Sequence, residues 1–200
     1  MDFPRVEMRA GRVLYRAAKR GNGAWWFCHC GECRFDLPTP RGTCYVGTDP
    51  MSGFLESFGP DWCAGEPAIV LIPRFVKERV VHEYELPRTV GTANLSSRGA
   101  VAFRVTNELS NMTPYDVPQK YAQVFDQTPG RRRTHQFLGI RFRTRFDTGP
   151  VTHGLALFGE EGERAWPSSV HDIDVELIAE LKAVGVFVEG PPGLAKPDAA

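Results

Sequence analysis

Short apolar stretches broken by glycine, proline and charged residues set the rhythm of this chain. Runs rich in β-branched and aromatic side chains recur at residues 13–15, 25–27, 43–46, 68–72, 76–84, 100–105, 138–142 and 154–158. Each is short and bounded by turn formers, which predicts a strand. Helical signals are fewer: residues 50–58, residues 117–125, and a last segment after Asp174. In that last segment Asp174 is a suitable N-cap, and Leu177, Ile178, Leu181 and Val184 share one helical face. The strands come in runs instead of alternating with helices, so the expected class is α+β, mostly short strands with a few helices. No repeat with a period of roughly 20–50 residues and no internal Gly/Pro/Ser linker interrupts the chain. The expectation is one compact domain over residues 1–189. From Gly190 onward there is little to bury, which predicts a disordered tail over residues 190–200.

With 200 residues, 42% of them hydrophobic and 24% charged, the chain is long enough to bury roughly 70% of its unfolded surface in one core. Twenty-four basic and twenty-four acidic residues cancel to a formal charge of zero. No global field then draws the chain to nucleic acid or to an anionic membrane. No apolar run approaches the ~20 residues of a membrane span, and the first residues lack the basic and apolar regions of a secretion signal. A soluble, cytoplasmic protein is expected. Its five cysteines, Cys28, Cys30, Cys33, Cys44 and Cys63, are odd in number and crowded into the first third, which suits reduced thiols better than a disulfide framework. Arginine outnumbers lysine nineteen to five. Recognition of phosphate or carboxylate would use that surplus, but its spread along the whole chain also fits simple base composition.

Two groups of residues carry possible chemistry. Cys28-His29-Cys30-Gly31-Glu32-Cys33 concentrates soft ligands. A closed metal site, however, usually needs two separated ligand pairs, and Cys-x-Cys is not an ordinary zinc spacing. The expectation is small residues in a turn and no metal. The second group is Arg34 in Arg34-Phe-Asp-Leu-Pro, Tyr45 in Gly42-Thr-Cys-Tyr45, and Glu56 in the 50–58 helix. An arginine fork for pyrophosphate, an aromatic platform and a carboxylate facing ribose hydroxyls or a developing oxocarbenium ion would suit a nucleotide-like ligand. Taken singly, these residues are equally a surface ion pair, strand filler and an exposed helix position. Arg131-Arg132-Arg133 reads as a solvated turn, and Trp25-Trp26-Phe27 reads as strand packing or an interface. No nucleophile elbow, dinucleotide fingerprint or phosphate loop is present.

The order of these segments resembles the RES domain family. The matching positions are Leu14-Tyr15-Arg16; Arg34-Phe35-Asp36-Leu37-Pro38; Gly42-Thr43-Cys44-Tyr45 with Glu56 beyond it; and Gly139-Ile140-Arg141-Phe142-Arg143-Thr144-Arg145 before Ala156-Leu157-Phe158-Gly159. They span roughly residues 13–159. The resemblance implies an ADP-ribosyltransferase-like fold and the toxin half of a bacterial toxin–antitoxin pair, an enzyme that cleaves NAD+ at the nicotinamide–ribose bond by hydrolysis or phosphorolysis. NAD is then a substrate with phosphate as a possible co-substrate, no further cofactor is implied, and an Xre-type antitoxin is the expected partner. Glu56 would be the catalytic carboxylate, with Arg16 beside it. Arg34, Tyr45 and Thr144 would bind NAD, Thr144 standing where the family has its serine. Arg141, Arg143 and Arg145 would suit a phosphate nucleophile. ADP-ribosyl transfer to a protein, or nucleotide binding with weak catalysis, is the alternative on the same scaffold. Oligomeric state has no sequence signature, and a homo-oligomer stays open.

Overall fold

The computed structural model describes residues 2–58, 69–71, 73–130, 135–144 and 152–188. Among them the apolar periodicity becomes β1 (Arg5–Met8), β2 (Val13–Lys19), β3 (Trp25–Phe27), β4 (Arg41–Gly47), α1 (Pro50–Phe58), β5 (Ile69–Leu71), α2 (Pro73–Lys77), β6 (Arg79–Glu85) and β7 (Val90–Asn94). The second half adds α3 (Asp116–Gln127), β8 (Gly139–Arg143), β9 (His153–Glu160), β10 (Gly162–Arg164), β11 (Ser169–Asp172), α4 (Val175–Ala183) and β12 (Val186–Val188). The result is a compact single domain of mixed α and β content, strands predominating. No described helix is long and apolar enough to cross a membrane.

Eight strands form one sheet in the order β1-β7-β8-β9-β4-β2-β6-β11. All neighbours run antiparallel except β7 and β8. β4 pairs with β9 along its whole length, from Arg41 opposite Glu160 to Gly47 opposite Gly154. β2 pairs just as fully with β6, from Val13 opposite Glu85 to Lys19 opposite Arg79. Between β4 and β2 the register contracts to Tyr15 opposite Gly47. The sheet is therefore two ladders joined at one end and splayed at the other. Two small ribbons, β3 with β10 and the parallel pair β5 with β12, flank it.

Burial follows strand alternation. In β3, Trp25 and Phe27 are buried while Trp26 between them is 44% exposed. One core cluster gathers Phe35, Phe125, Phe137, Phe142 and Phe158 beside α3 and β8, a second gathers Leu14, Trp25, Cys44, Tyr84 and Leu155, and a third seats α1 and α4 through Phe54, Leu55, Leu177 and Leu181. Helix α4 begins as its sequence predicts, with Asp174 Oδ1 accepting the Leu177 N–H at 2.8 Å. Its apolar face is shorter than expected: Leu177 and Leu181 are buried, whereas Val184 caps the helix at 58% exposure.

Other sequence expectations change. Residues 100–105 form no strand but part of a 3-10 turn, Arg98–Phe103, in which Ser97 Oγ accepts the Gly99 N–H and Arg104 closes the turn at φ 59°. A serine placed to bond a nearby backbone N–H offers the chain a local alternative to a ladder, and only Ala100 and Val105 of the run are buried. The expected strand over 76–84 is split, with α2 ending at Lys77 and β6 starting at Arg79. β7, interrupted by the weak strand formers Gly91 and Ala93, forms because β1 and β8 pair with it on either side. Residues 190–200, Cys63, Arg131-Arg132-Arg133 and Arg145 lie outside the described residues.

Candidate functional site

The site lies where the sheet splays. Helix α1 lies against both β2 and β4, and its entry is set by a reciprocal cap: Asp49 Oδ1 accepts the Ser52 N–H at 2.8 Å, and the Asp49 N–H donates to Ser52 Oγ at 3.2 Å. Two glycines allow the close approach. A Cβ on Gly53 would stand 2.7 Å from the Tyr15 carbonyl oxygen, and one on Gly47 would drive into Gly53 N and Ser52. One turn past Ser52, the same helix carries Glu56.

A cavity of about 510 Å³ opens at this junction, lined among others by Arg16, Trp26, Arg34, Tyr45, Glu56 and Tyr115. That volume falls within the roughly 300–1,000 Å³ of small-molecule sites. The sequence places Arg16, Arg34, Tyr45 and Glu56 on separate segments, and here they share one wall system. Lys19 and Glu32 also border it, giving a mixed-charge cleft in which cations slightly outnumber carboxylates.

Each side chain is held differently. Arg16, on β2, donates through Nη1 to the carbonyls of Ala24 at 3.1 Å and Trp26 at 3.2 Å, and its Nη1 lies 3.8 Å from Cys44 Sγ. One edge of this guanidinium is thus committed to the protein. Arg34 is 5% exposed, its guanidinium 5.1 Å from the Phe142 ring centroid and 5.6 Å from that of Phe35. Such a cation, sheltered by aromatic rings, is desolvated and held in a fixed orientation. Tyr45 presents its ring to the cavity while its hydroxyl is tied off, accepting the Phe35 N–H at 2.7 Å and donating to Asp36 Oδ1 at 3.1 Å. Burial, reinforced by the Asp36 charge, pushes the phenol well above its ordinary pKa, so it stays neutral and serves as a positioned platform. Glu56 is half-buried on α1.

Thr144 stands apart. It follows β8, is buried, and is not among the residues lining the cavity. Among the described residues, the aliphatic hydroxyls that do line it belong to Thr43, which donates to the Phe35 carbonyl at 2.8 Å, and Ser57, which donates to the Gly53 carbonyl at 2.9 Å. Arg141 is likewise elsewhere, its Nη2 3.2 Å from His153 Nδ1, and Arg143 is exposed; neither lines the cavity.

Sequence reading overlooked two contributors. Trp26 turns to the cavity because the residues on either side of it turn to the core, and strict alternation in β3 carried that signal. Asp36, quoted only as part of a motif, is 3% exposed and anchors the loop before it: Oδ2 accepts the N–H groups of Gly31 and Cys33, both at 3.1 Å, and the Cys30 thiol at 3.3 Å. Burial raises its pKa despite those hydrogen bonds. Cys28, Cys30, Cys33 and Cys44 are free thiols. Partial desolvation within the loop and the neighbouring Cys28 thiol push the exposed Cys30 up to about 12, and burial raises Cys33 and Cys44, so none of these three is poised as a thiolate nucleophile.

Fold and site together define an α+β domain with a splayed sheet and an aromatic-walled, mixed-charge cleft. No family model matches this chain, and neither the curated proteins nor the solved structures contain a significant match to it.

Proposed function

We propose that this protein is an NAD+-degrading enzyme that breaks the nicotinamide–ribose bond, with water or phosphate as acceptor, and that it acts as the toxin of a RES-type toxin–antitoxin pair. The observation supporting this reading is the convergence of Arg16, Arg34, Tyr45 and Glu56 on one cavity. An ADP-ribosyltransferase-like relation of the fold belongs to the same proposal.

The chemistry suits these residues. Nicotinamide leaves as a neutral ring once the glycosidic bond breaks, so the barrier lies in positive charge developing on the ribose. A half-buried carboxylate near that carbon stabilises the charge and orients the incoming acceptor. Arg34, fixed and desolvated, takes the pyrophosphate, and Arg16 assists with the edge that the backbone carbonyls do not occupy. The Tyr45 and Trp26 rings offer faces for the nicotinamide or adenine. With water the products are nicotinamide, ADP-ribose and a proton; with phosphate they are nicotinamide and ADP-ribose-1″-phosphate. Thr144 has no part in this arrangement.

The test is to incubate the protein with NAD+, with and without phosphate, and resolve the three products chromatographically. Release of nicotinamide is expected, and Glu56→Gln should lower it at least ~100-fold. Wild-type turnover in Glu56→Gln removes that residue from the mechanism. No nicotinamide from folded protein removes the activity itself.

A further inference from the structure

Beside the cavity, the loop that leads to Arg34 brings together two thiols that NAD cleavage does not use and the Oδ2 side of Asp36, whose Oδ1 holds the Tyr45 hydroxyl. Cys28 Sγ and Cys30 Sγ lie 2.9 Å apart, Asp36 Oδ2 lies 3.3 Å from Cys30 Sγ, and the three ligand atoms all fall within 4.8 Å of one another. The backbone holds them there. Cys28 is fastened to β4, its N–H donating to the Thr43 carbonyl at 2.9 Å and its carbonyl accepting the Thr43 N–H at 2.7 Å. Gly31, at φ 78°, reverses the chain, and the Gly31 and Cys33 N–H groups clamp Asp36 Oδ2 over the thiols. The Cys30 N–H also points at Cys28 Sγ from 3.4 Å, an arrangement that stabilises a sulfur carrying negative charge.

We propose that Cys28, Cys30 and Asp36 bind one thiophilic divalent ion of the zinc class. The spacing argument that disfavoured metal required a second cysteine pair. Folding supplies instead a buried carboxylate from six residues beyond Cys30, which no Cys-only pattern reveals. Bond lengths of roughly 2.3 Å to sulfur and 2.0–2.2 Å to oxygen put tetrahedral ligand atoms about 3.4–3.8 Å apart. The observed separations reach that range by small side-chain rotations, and Cys30 is exposed and able to make them. Two thiolate sulfurs beside one carboxylate favour zinc over magnesium or calcium. On binding, the Cys28 and Cys30 thiols release their protons to solvent and donate the sulfur electron pairs to the ion. No oxidant or reductant is involved. A Cys28–Cys30 disulfide is the competing chemistry, but it gives the buried Asp36 carboxylate no role. Since Cys28 and Cys33 line the cavity, the ion braces its wall without entering the reaction.

The test uses the full chain, reduced and metal-free, titrated with Co²⁺ in the absence of NAD+. Expected are thiolate-to-cobalt charge-transfer absorption and tetrahedral d–d bands saturating at one equivalent, displaced by Zn²⁺. Both signals should be lost in Cys28→Ser and Cys30→Ser and kept in Cys44→Ala. Cys30→Ser changes an exposed side chain, so a far-ultraviolet circular dichroism spectrum like wild type shows that loss of the bands reports ligation and not unfolding. Three results overturn the proposal: no charge-transfer band in the folded, reduced chain; a band undiminished in Cys30→Ser; or isolated protein lighter by two hydrogens, with Cys28 and Cys30 joined and no metal bound. None depends on NAD+ cleavage, so failure here and failure of the activity are told apart.

Discussion

Gly53→Ala sets two known effects against each other, and the geometry decides the sign. In an ordinary helix interior the change stabilises by about 1 kcal/mol, because alanine is the better helix former. Here the added methyl would stand 2.7 Å from the Tyr15 carbonyl oxygen and 2.8 Å from its carbonyl carbon. Ordinary carbon–oxygen contact lies near 3.3–3.6 Å, so α1 must lift from β2 by roughly 0.6–0.9 Å. Tyr15 cannot yield instead, since it is paired with Glu83 on one side and Gly47 on the other. Lifting α1 loosens Phe54 and Leu55, both buried in the cluster beneath it. Overpacking of this kind costs about 1–3 kcal/mol, which offsets the propensity gain and leaves a net loss of up to about 2 kcal/mol. Glu56, one turn further on, shifts with the helix relative to Arg16 and Arg34, and a misplacement near 1 Å can cost ~100-fold in rate. Urea unfolding should show a lower midpoint at unchanged slope, together with NAD+ cleavage reduced ~10- to 100-fold. A variant more stable than wild type refutes the claim that glycine is required at this crossing.

Two further predictions concern groups around the cavity. Tyr45→Phe keeps the ring but strips the acceptor from the Phe35 N–H, on a residue with 0% exposure. Stability should fall by about 1–3 kcal/mol with little change in apparent NAD+ affinity, and an unchanged unfolding midpoint refutes the role given to the hydroxyl. His82 is buried with Nε2 3.0 Å from the Asn22 carbonyl, so that nitrogen carries the proton of a neutral ring. Burial holds its pKa below the usual 6.5, helped by the Arg16 charge and opposed by Asn22 and Glu163. A base with a depressed folded pKa contributes stability that is present above its unfolded value and lost as pH falls toward the folded one. His82→Gln should therefore flatten the decline in unfolding free energy between about pH 7 and 5. Equal slopes in the two proteins would rule His82 out as its source.

Much of the domain was legible because its cues are local. β3, β8 and β9 arise where β-branched and aromatic runs predicted them, and α1 and α3 fall within a few residues of the expected bounds. The Asp174 cap and the Trp25-Trp26-Phe27 alternation depend only on neighbours along the chain. Residues 100–105 depart from the expected strand, and β7 arises with no strand expected there, for the complementary reason: a local Ser97 cap outcompeted a plausible strand in one, and partners distant in sequence drew a glycine- and alanine-interrupted segment into the sheet in the other. Arg16, Arg34, Tyr45 and Glu56 could be singled out by residue type and order, but Thr144 shared those cues and does not line the cavity with them.

By itself, then, the sequence determined the strand-rich α+β composition, the helix caps and the residues able to carry chemistry, since propensity, periodicity and capping act within a few residues. The single-residue pairing of β2 with β4, the Gly47–Gly53 crossing that seats α1 there, and the inward turn of Asp36 over Cys28 and Cys30 were decided only by the tertiary structure. Each depends on register and close packing between segments far apart in the chain. Those contacts are stabilising only when the whole sheet is in place, and no local pattern encodes them.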